Sequence, residues 1–301
     1  MTNSLKNLQG LAICLVALLV IVIAAYFIAP IVKSPDEPLL DTGPTAVQPR
    51  MVAAIIGIVL VLGAAYATRE TLDWNVGSRE VVLMVVGALV HGVFVWMFNG
   101  QTFNLPSVSQ VTLRPAAVFP AFFGFMFGPA VGFMAGAAGN IVGDLFVGTV
   151  SPHWSVANGL IGLIAGMAKA ILDEKRSLNV ATAIAGIGGI VAAAFFLAAP
   201  ATQLSFLMGL SVLIGAGLAI ALRFAFPNRQ EWALATLWGS AGVIVGPGLA
   251  SIADIWVNGS TLSEAVVGEF IPAAGPSLIA LAILLPILMV IYDSVQEPTD
   301  K

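Results

Sequence analysis

Gly124, Gly128, Gly132, Gly136, Asn140, Asp144 and Gly148 recur every four residues along one almost wholly apolar stretch. Asn158, Gly162 and Gly166 repeat the spacing further on. On a helix, four residues is about 40° past a full turn, so such a row drifts slowly around one side. Asn140 and Asp144 are then neighbours on a face shared with glycines. An ionised carboxyl accepts hydrogen bonds, and an amide both donates and accepts. The chemistry on offer is recognition of a polar molecule. A carboxyl group in apolar surroundings is costly and is by default a functional-site hypothesis. The other reading is that Asn140 and Asp144 tie helices together by hydrogen bonds.

Further polar residues lie near this row. Trp154 sits at the start of the next apolar segment, either as an interfacial anchor or beside a ligand. Asn158 is one turn in, and Ser155 is a candidate helix cap. His153 reads as a solvated loop residue. Arg114 either snorkels to headgroups or meets an anionic part of a ligand. Asp254 is close to the end of a later segment and is placed to face the same cavity, whereas Glu264 and Glu269 read as solvated. His91 falls mid-segment beside Ala88 and Gly92, and should face another helix rather than lipid. Cys14, the single cysteine, has no partner for an internal disulfide.

Of 301 residues, 59% are hydrophobic and 9% charged, against roughly 25% charged in a soluble domain. A soluble fold has no surface for so much apolar side chain, so the medium is a lipid bilayer. A spanning helix needs roughly 17–25 mainly apolar residues. The segments 11–29, 51–68, 80–98, 156–172, 180–199, 203–222, 232–250 and 271–292 qualify. The stretch 115–148 is too long for one helix. Gly128-Pro129 divides it into 115–128 and 129–148, because proline fits the first turn of a helix and disrupts the interior of one. The expected fold is all-α, a polytopic membrane bundle of about ten transmembrane helices. The first span is longer than a signal-peptide core of roughly 7–15 residues, so it reads as retained.

With the N-terminus in the cytoplasm, the inner segments hold nine Lys and Arg and the outer ones three, Lys33, Arg50 and Arg114. The positive-inside rule favours this orientation, with both termini cytoplasmic in the cell membrane. The outer connections are 33–50, a proline-rich linker, then 99–113, 149–155 and 251–270. Segment 69–79 is short, charged and cytoplasmic. A net charge of −4 gives no sign of nucleic-acid binding. No GxxxxGK[ST] phosphate loop, HExxH or CxxC occurs. Two histidines are too few for a metal cage, so no metal, cofactor or catalytic residue is expected, and the chain does not read as an enzyme.

The run LRPAAVFPAFFGFMFGPAVGFMAGAAGNIVGDLF, followed by WSVANGLIGLIAG, resembles the membrane-embedded substrate-binding subunit (S component) of energy-coupling factor (ECF) transporters, in particular the riboflavin-type group. The motifs that carry it are Leu113–Pro115, Gly124–Pro129, Gly139–Asp144 and Asn158–Leu163. The resemblance implies a six-helix core, mapped here to 80–98, 115–128, 129–148, 156–172, 232–250 and 271–292. Two helix pairs are then additions: an N-terminal pair within 1–78, and a pair at about 180–222 inserted in the substrate-binding domain 79–301. It further implies capture of a vitamin-like small molecule from outside, with a transmembrane coupling subunit and cytoplasmic ATPase subunits as partners. Small residues on the first core helix, here Ala88 and Gly92, would face the coupling subunit; His91 between them departs from that pattern.

The expected substrate residues are Asn140, Asp144, Trp154, Asn158, Asp254 and Arg114. Ala88, Gly92, Gly128, Gly132 and Gly136 are expected at helix-packing or coupling-subunit contacts. The alternative function is a stand-alone secondary transporter or channel, with Asp144 and His91 as a proton path.

Overall fold

The computed structural model describes residues 2–32, 44–98, 105, 115–146, 150–199 and 204–296. Among them there is no strand, and the expected all-α bundle is borne out. The helices are α1 (Thr2–Val32), α2 (Pro44–Ala67), α3 (Ser78–Met97), α4 (Val118–Phe127), α5 (Pro129–Phe146), α6 (Pro152–Gly166), α7 (Glu174–Ala198), the single turn α8 (Phe206–Gly209), α9 (Ser211–Ala225), α10 (Gln230–Val257) and α11 (Ile271–Gln296). Short 3₁₀ turns at Pro115–Ala117 and Met167–Ala170 extend α4 and α6, and a π-helical turn, Glu264–Phe270, leads into α11.

Among the described residues, six helical segments are long and apolar enough to cross a membrane: Leu8–Ala29, Val47–Ala67, Ser78–Met97, Glu174–Ala198, Gln230–Val257 and Glu264–Gln296. The other expected spans, α4, α5, α6 and α9, are shorter or carry polar residues. The reason is burial. Almost every residue of α5 and α6 is covered by protein, so these helices need not match lipid as α1 and α3 do.

The break at Gly128-Pro129 forms as expected. Gly128 adopts φ 104°, which a side chain would disfavour, and its N–H still bonds the Gly124 carbonyl at 2.9 Å. Pro129 then opens α5, where its missing N–H costs nothing. The chain folds back so that α4 and α5 both meet α6. A Cβ on Gly124 would fall on the Gly162 carbonyl, one on Gly136 on the Asn158 carbonyl, and one on Gly166 on Pro129. Gly132 likewise abuts Gly124 and Gly162. On its other side α5 meets α3, where Gly139 lies against the Ala88 carbonyl and His91, and Gly92 against Val142. The far side of α6 meets Gly242 and Gly246 of α10.

Two apolar clusters flank this seam. One joins α1 and α2 to α5 and α6 through Leu11, Leu15, Leu18, Val61, Phe133 and Ile141. The other gathers α7, α9, α10 and α11 around Ile161, Leu237, Leu278 and Leu281. Polar ties hold α7 in place. Ser177 Oγ donates to the Ala168 carbonyl at 3.0 Å and accepts Trp238 Nε1–H at 2.9 Å. Arg223 of α9 donates to Asn179 at 2.8 Å and Thr182 at 3.2 Å.

The structure corrects several boundaries. The proline-rich linker ends sooner than expected, since α2 begins at Pro44 and contains Pro49; residues 33–43 lie outside the described residues. So does the 99–113 connection apart from Leu105. Within the charged segment 69–79, Trp74 is 1% exposed, and its Nε1–H meets Thr68 Oγ1 at 3.1 Å. The expected span 203–222 is interrupted between α8 and α9. Helix α6 starts at Pro152, because proline suits the first turn; Ser155 is therefore inside the helix and not its cap. Connection 251–270 shrinks as α10 runs to Val257 and helix resumes before Glu264. Thr261 and Glu264 cap that restart reciprocally, through Thr261 N–H and Oγ–H to Glu264 Oε2, both 2.8 Å, and Glu264 N–H to Thr261 Oγ1, 3.2 Å.

Gly162→Val should lower the thermal unfolding midpoint sharply, because backbone occupies the added volume; overpacking of this kind costs about 1–3 kcal/mol or more. Gly217, with nothing near its Cβ position, is the control. Gly217→Ala should be neutral or stabilising, by up to about 1 kcal/mol from helix propensity. Fluorescence-detected melting of the detergent-solubilised variants compares the two.

Candidate functional site

The close approach of α5 and α6 brings Asn140 and Asn158 together at the end that the charge bias assigns to the outside. Asn158 Nδ2 donates to Asn140 Oδ1 at 3.2 Å and to the Trp154 carbonyl at 2.9 Å. Asn140 is fully buried. Its Nδ2 donates to Asp144 Oδ2 at 2.8 Å and to Ser155 Oγ at 3.1 Å, and Ser155 Oγ donates on to the Ser151 carbonyl at 3.1 Å. Both amide hydrogens of Asn140 and its carbonyl oxygen are therefore used, which is what a buried amide requires.

The second half of the cluster centres on Asp254 of α10, 1% exposed. Its Oδ1 accepts from His153 Nε2 at 2.8 Å and from Asn258 Nδ2 at 2.6 Å. Its Oδ2 accepts from Trp154 Nε1 at 3.0 Å. Three donors converge on one carboxyl group, and each arrives for a local reason. His153 and Trp154 are consecutive in the first turn of α6, and Asn258 is one turn beyond Asp254. Trp154 and Asn158 join the two halves into one network across α5, α6 and α10. Its carboxyl groups are Asp144 and Asp254.

Of the expected substrate residues, Asn140, Asp144, Trp154, Asn158 and Asp254 are gathered here. Arg114 lies outside the described residues. Two readings of the sequence are corrected. His153 is 5% exposed rather than a solvated loop residue, because α6 starts before it. Glu269 is 2% exposed rather than solvated, turned inward by the π-helical turn before α11. Sequence reasoning also passed over Ser155 and Asn258 as participants. The signals were there: Ser151-Pro152 is a helix start that puts His153 inside the first turn, and Asn258 stands four residues from Asp254.

Ala88, Gly92, Gly132 and Gly136 are buried between helices, and Gly128 is the turn itself. His91 is fully buried, facing Gly139 of α5. No cluster of three or more His, Cys, Asp or Glu suited to a metal occurs among the described residues. A cavity of about 600 Å³ lies at the opposite end of the bundle, bordered by Lys169, Glu174, Arg229, Glu231, Trp232 and Asp293; it shares no residue with the network.

Residues 75–216 match the family model described as ECF-type riboflavin transporter, S component. The matched range takes in α3 to α6, α7 and part of α9, and stops before α10. Curated relatives include a UPF0397 protein of Aliivibrio salmonicida, 29% identical over 127 residues, covering 39% of this chain and 67% of the relative. One from Aliivibrio fischeri is 35% identical over 95 residues, covering 31% and 49%. One from Aster yellows witches'-broom phytoplasma is 40% identical over 73 residues, covering 24% and 40%. Apart from the first, the chain spans about half the length, or less, of these relatives. No solved structure matches the chain. The resemblance to S components expected from the sequence is thereby borne out.

Asp254→Asn is expected to disrupt the network, because one acceptor oxygen becomes an NH₂ facing donors. A buried group left unsatisfied costs about 1–3 kcal/mol. The expected result is a lower unfolding midpoint and an altered Trp154 emission, read against variants lacking Trp154. Asn258→Ala, at a more exposed partner, should have the smaller effect.

Proposed function

We propose that this chain is the substrate-capture subunit of an ECF-type importer, embedded in the cell membrane with both termini cytoplasmic and taking up a vitamin or related micronutrient from the outside. The observation that carries the reading is the joined polar network Asp144–Asn140–Asn158–Trp154–Asp254. It lies within one end of an otherwise apolar bundle, and most of it falls in the range that matches S components. Polar groups at membrane depth need partners, and a ligand that supplies equivalent hydrogen bonds can exchange with the internal ones at little net cost. Glycine-lined and proline-broken helices beside such a site suit a transporter.

In this reading Asn140, Asp144, Trp154, Asn158 and Asp254 contact the captured molecule, with Arg114 as a further candidate. Gly132 and Gly136 hold α5 against α6, and Ala88 and Gly92 hold α3 against α5. Residues 1–78 supply an added helix pair packed on the substrate-binding domain 79–301. The pair at about 180–222 is an insertion braced on α10 and α11. The partners are a transmembrane coupling subunit and cytoplasmic ATPase subunits. A second reading, a stand-alone secondary transporter, draws on the burial of His91 against α5, the helix that carries Asp144.

Native mass spectrometry of the purified protein with a panel of water-soluble vitamins, riboflavin included, tests capture. One vitamin should be retained, and Asn140→Ala or Asn158→Ala should weaken it roughly tenfold or more each. Retention of no vitamin overturns the reading. Uptake in proteoliposomes driven by a proton gradient without any ATPase would favour the second.

A further inference from the structure

His153 stands apart within the network. Its ring is buried, and Nε2 is spent on Asp254. Its other nitrogen, Nδ1, has no hydrogen-bond partner among the described residues. A buried polar atom in that position is costly unless something else meets it. The bond to Asp254 bears on which chemistry Nδ1 offers. An ionised carboxyl only accepts, so Nε2 carries the proton in its bond to Asp254. In the neutral ring Nδ1 then bears a lone pair and accepts. Trp154 and Asn258 hold Asp254 from two further directions, so the imidazole is backed by a carboxylate that is itself held in place.

We propose that His153 is held as the neutral ring, that its Nδ1 is a ligand-contacting acceptor, and that it selects an uncharged heterocycle presenting an N–H or O–H group. The inference rests on the substrate-capture reading, and adds to it both a residue and the polarity of the contact. Asp254 acts through His153 as a positioning residue, while Asn140 and Asn158 read other edges of the ligand. The carboxyl group of Asp254 behind the ring favours a hydrogen-bond donor over an anion at this point.

The chain contains two histidines, so [¹⁵N]histidine labelling gives a spectrum simple enough to follow single ring nitrogens, with His153→Gln supplying the assignment. Riboflavin is the probe. In the full-length protein in nanodiscs, His153 should carry its proton on Nε2 and show a bare Nδ1. Riboflavin should shift the Nδ1 signal and leave Nε2 in place. His153→Gln keeps a donor for Asp254 but deletes the acceptor. It should weaken riboflavin binding roughly tenfold while its unfolding midpoint stays near that of the parent. His153→Asn, which keeps a group near Nδ1 but loses the Asp254 bond, should lower the midpoint instead. An unchanged Nδ1 signal in riboflavin-bound protein, or full affinity in His153→Gln, overturns this proposal and leaves the capture reading standing. If His153→Gln does not fold, the Nδ1 signal of the parent protein decides, the residual histidine signal being His91. Absence of riboflavin binding overturns the inference as stated, and the capture reading falls only if the whole vitamin panel fails.

Discussion

The structure depends on backbone meeting backbone along α5. Glycines at 124, 132, 136, 162 and 166 let α4, α5 and α6 approach until no Cβ would fit. In lipid, apolar surface gives little net drive for helix association, because the lipid tails are as apolar as the side chains; close packing takes over that role. The same short distance between helices lets the amides of Asn140 and Asn158 touch. With larger residues in the seam, the two short side chains would not reach, and each would be left at membrane depth without its partner.

The polar network then follows a simple accounting. A buried carboxyl is tolerated where donors surround it, and Asp254 has three on the described side chains alone. Helix α6 supplies two of them from adjacent residues in its first turn, and Asn258, just past the end of α10, supplies the third. The opposite end of the molecule differs: Trp238, Ser177 and Arg223 make bonds that fasten helices to one another. The two ends thus show the two uses of polar residues in a membrane bundle. At the Asp254 end, side chains from separate elements are concentrated on one spot; at the other, they are spread between pairs.

Much of this was legible in the sequence. Span positions followed from apolar length, and the α4–α5 break followed from Gly128-Pro129, because both rest on local chemistry. The four-residue row also predicted correctly that Asn140 and Asp144 share a face. Helix ends were less legible. The α6 start, the length of α10 and the restart before α11 depend on capping by Pro152 and Thr261, and on burial that lets polar residues stay helical. Missing the α6 start led directly to misplacing His153. Glu269 was misread for a similar reason, since a π-helical turn changes which way a side chain points and leaves little trace in composition. The convergence of Asp254 on α6 joins residues about a hundred positions apart, and no periodicity within one segment encodes such a pairing.

The burial of α5 has a consequence for how the protein is made. This helix carries an Asn and an Asp and is covered on nearly every side, so it has little reason to leave the translocation machinery for lipid by itself. By the time α5 is synthesised, α1, α3 and α4 already exist and can shelter part of it. Its polar partners on α6 and the carboxyl on α10 have yet to emerge. During that interval Asn140 and Asp144 have each other, but Asn140 still lacks Ser155 and Asn158 of α6. The polar network is therefore late to become comfortable in the membrane, and the arrival of α10 completes it.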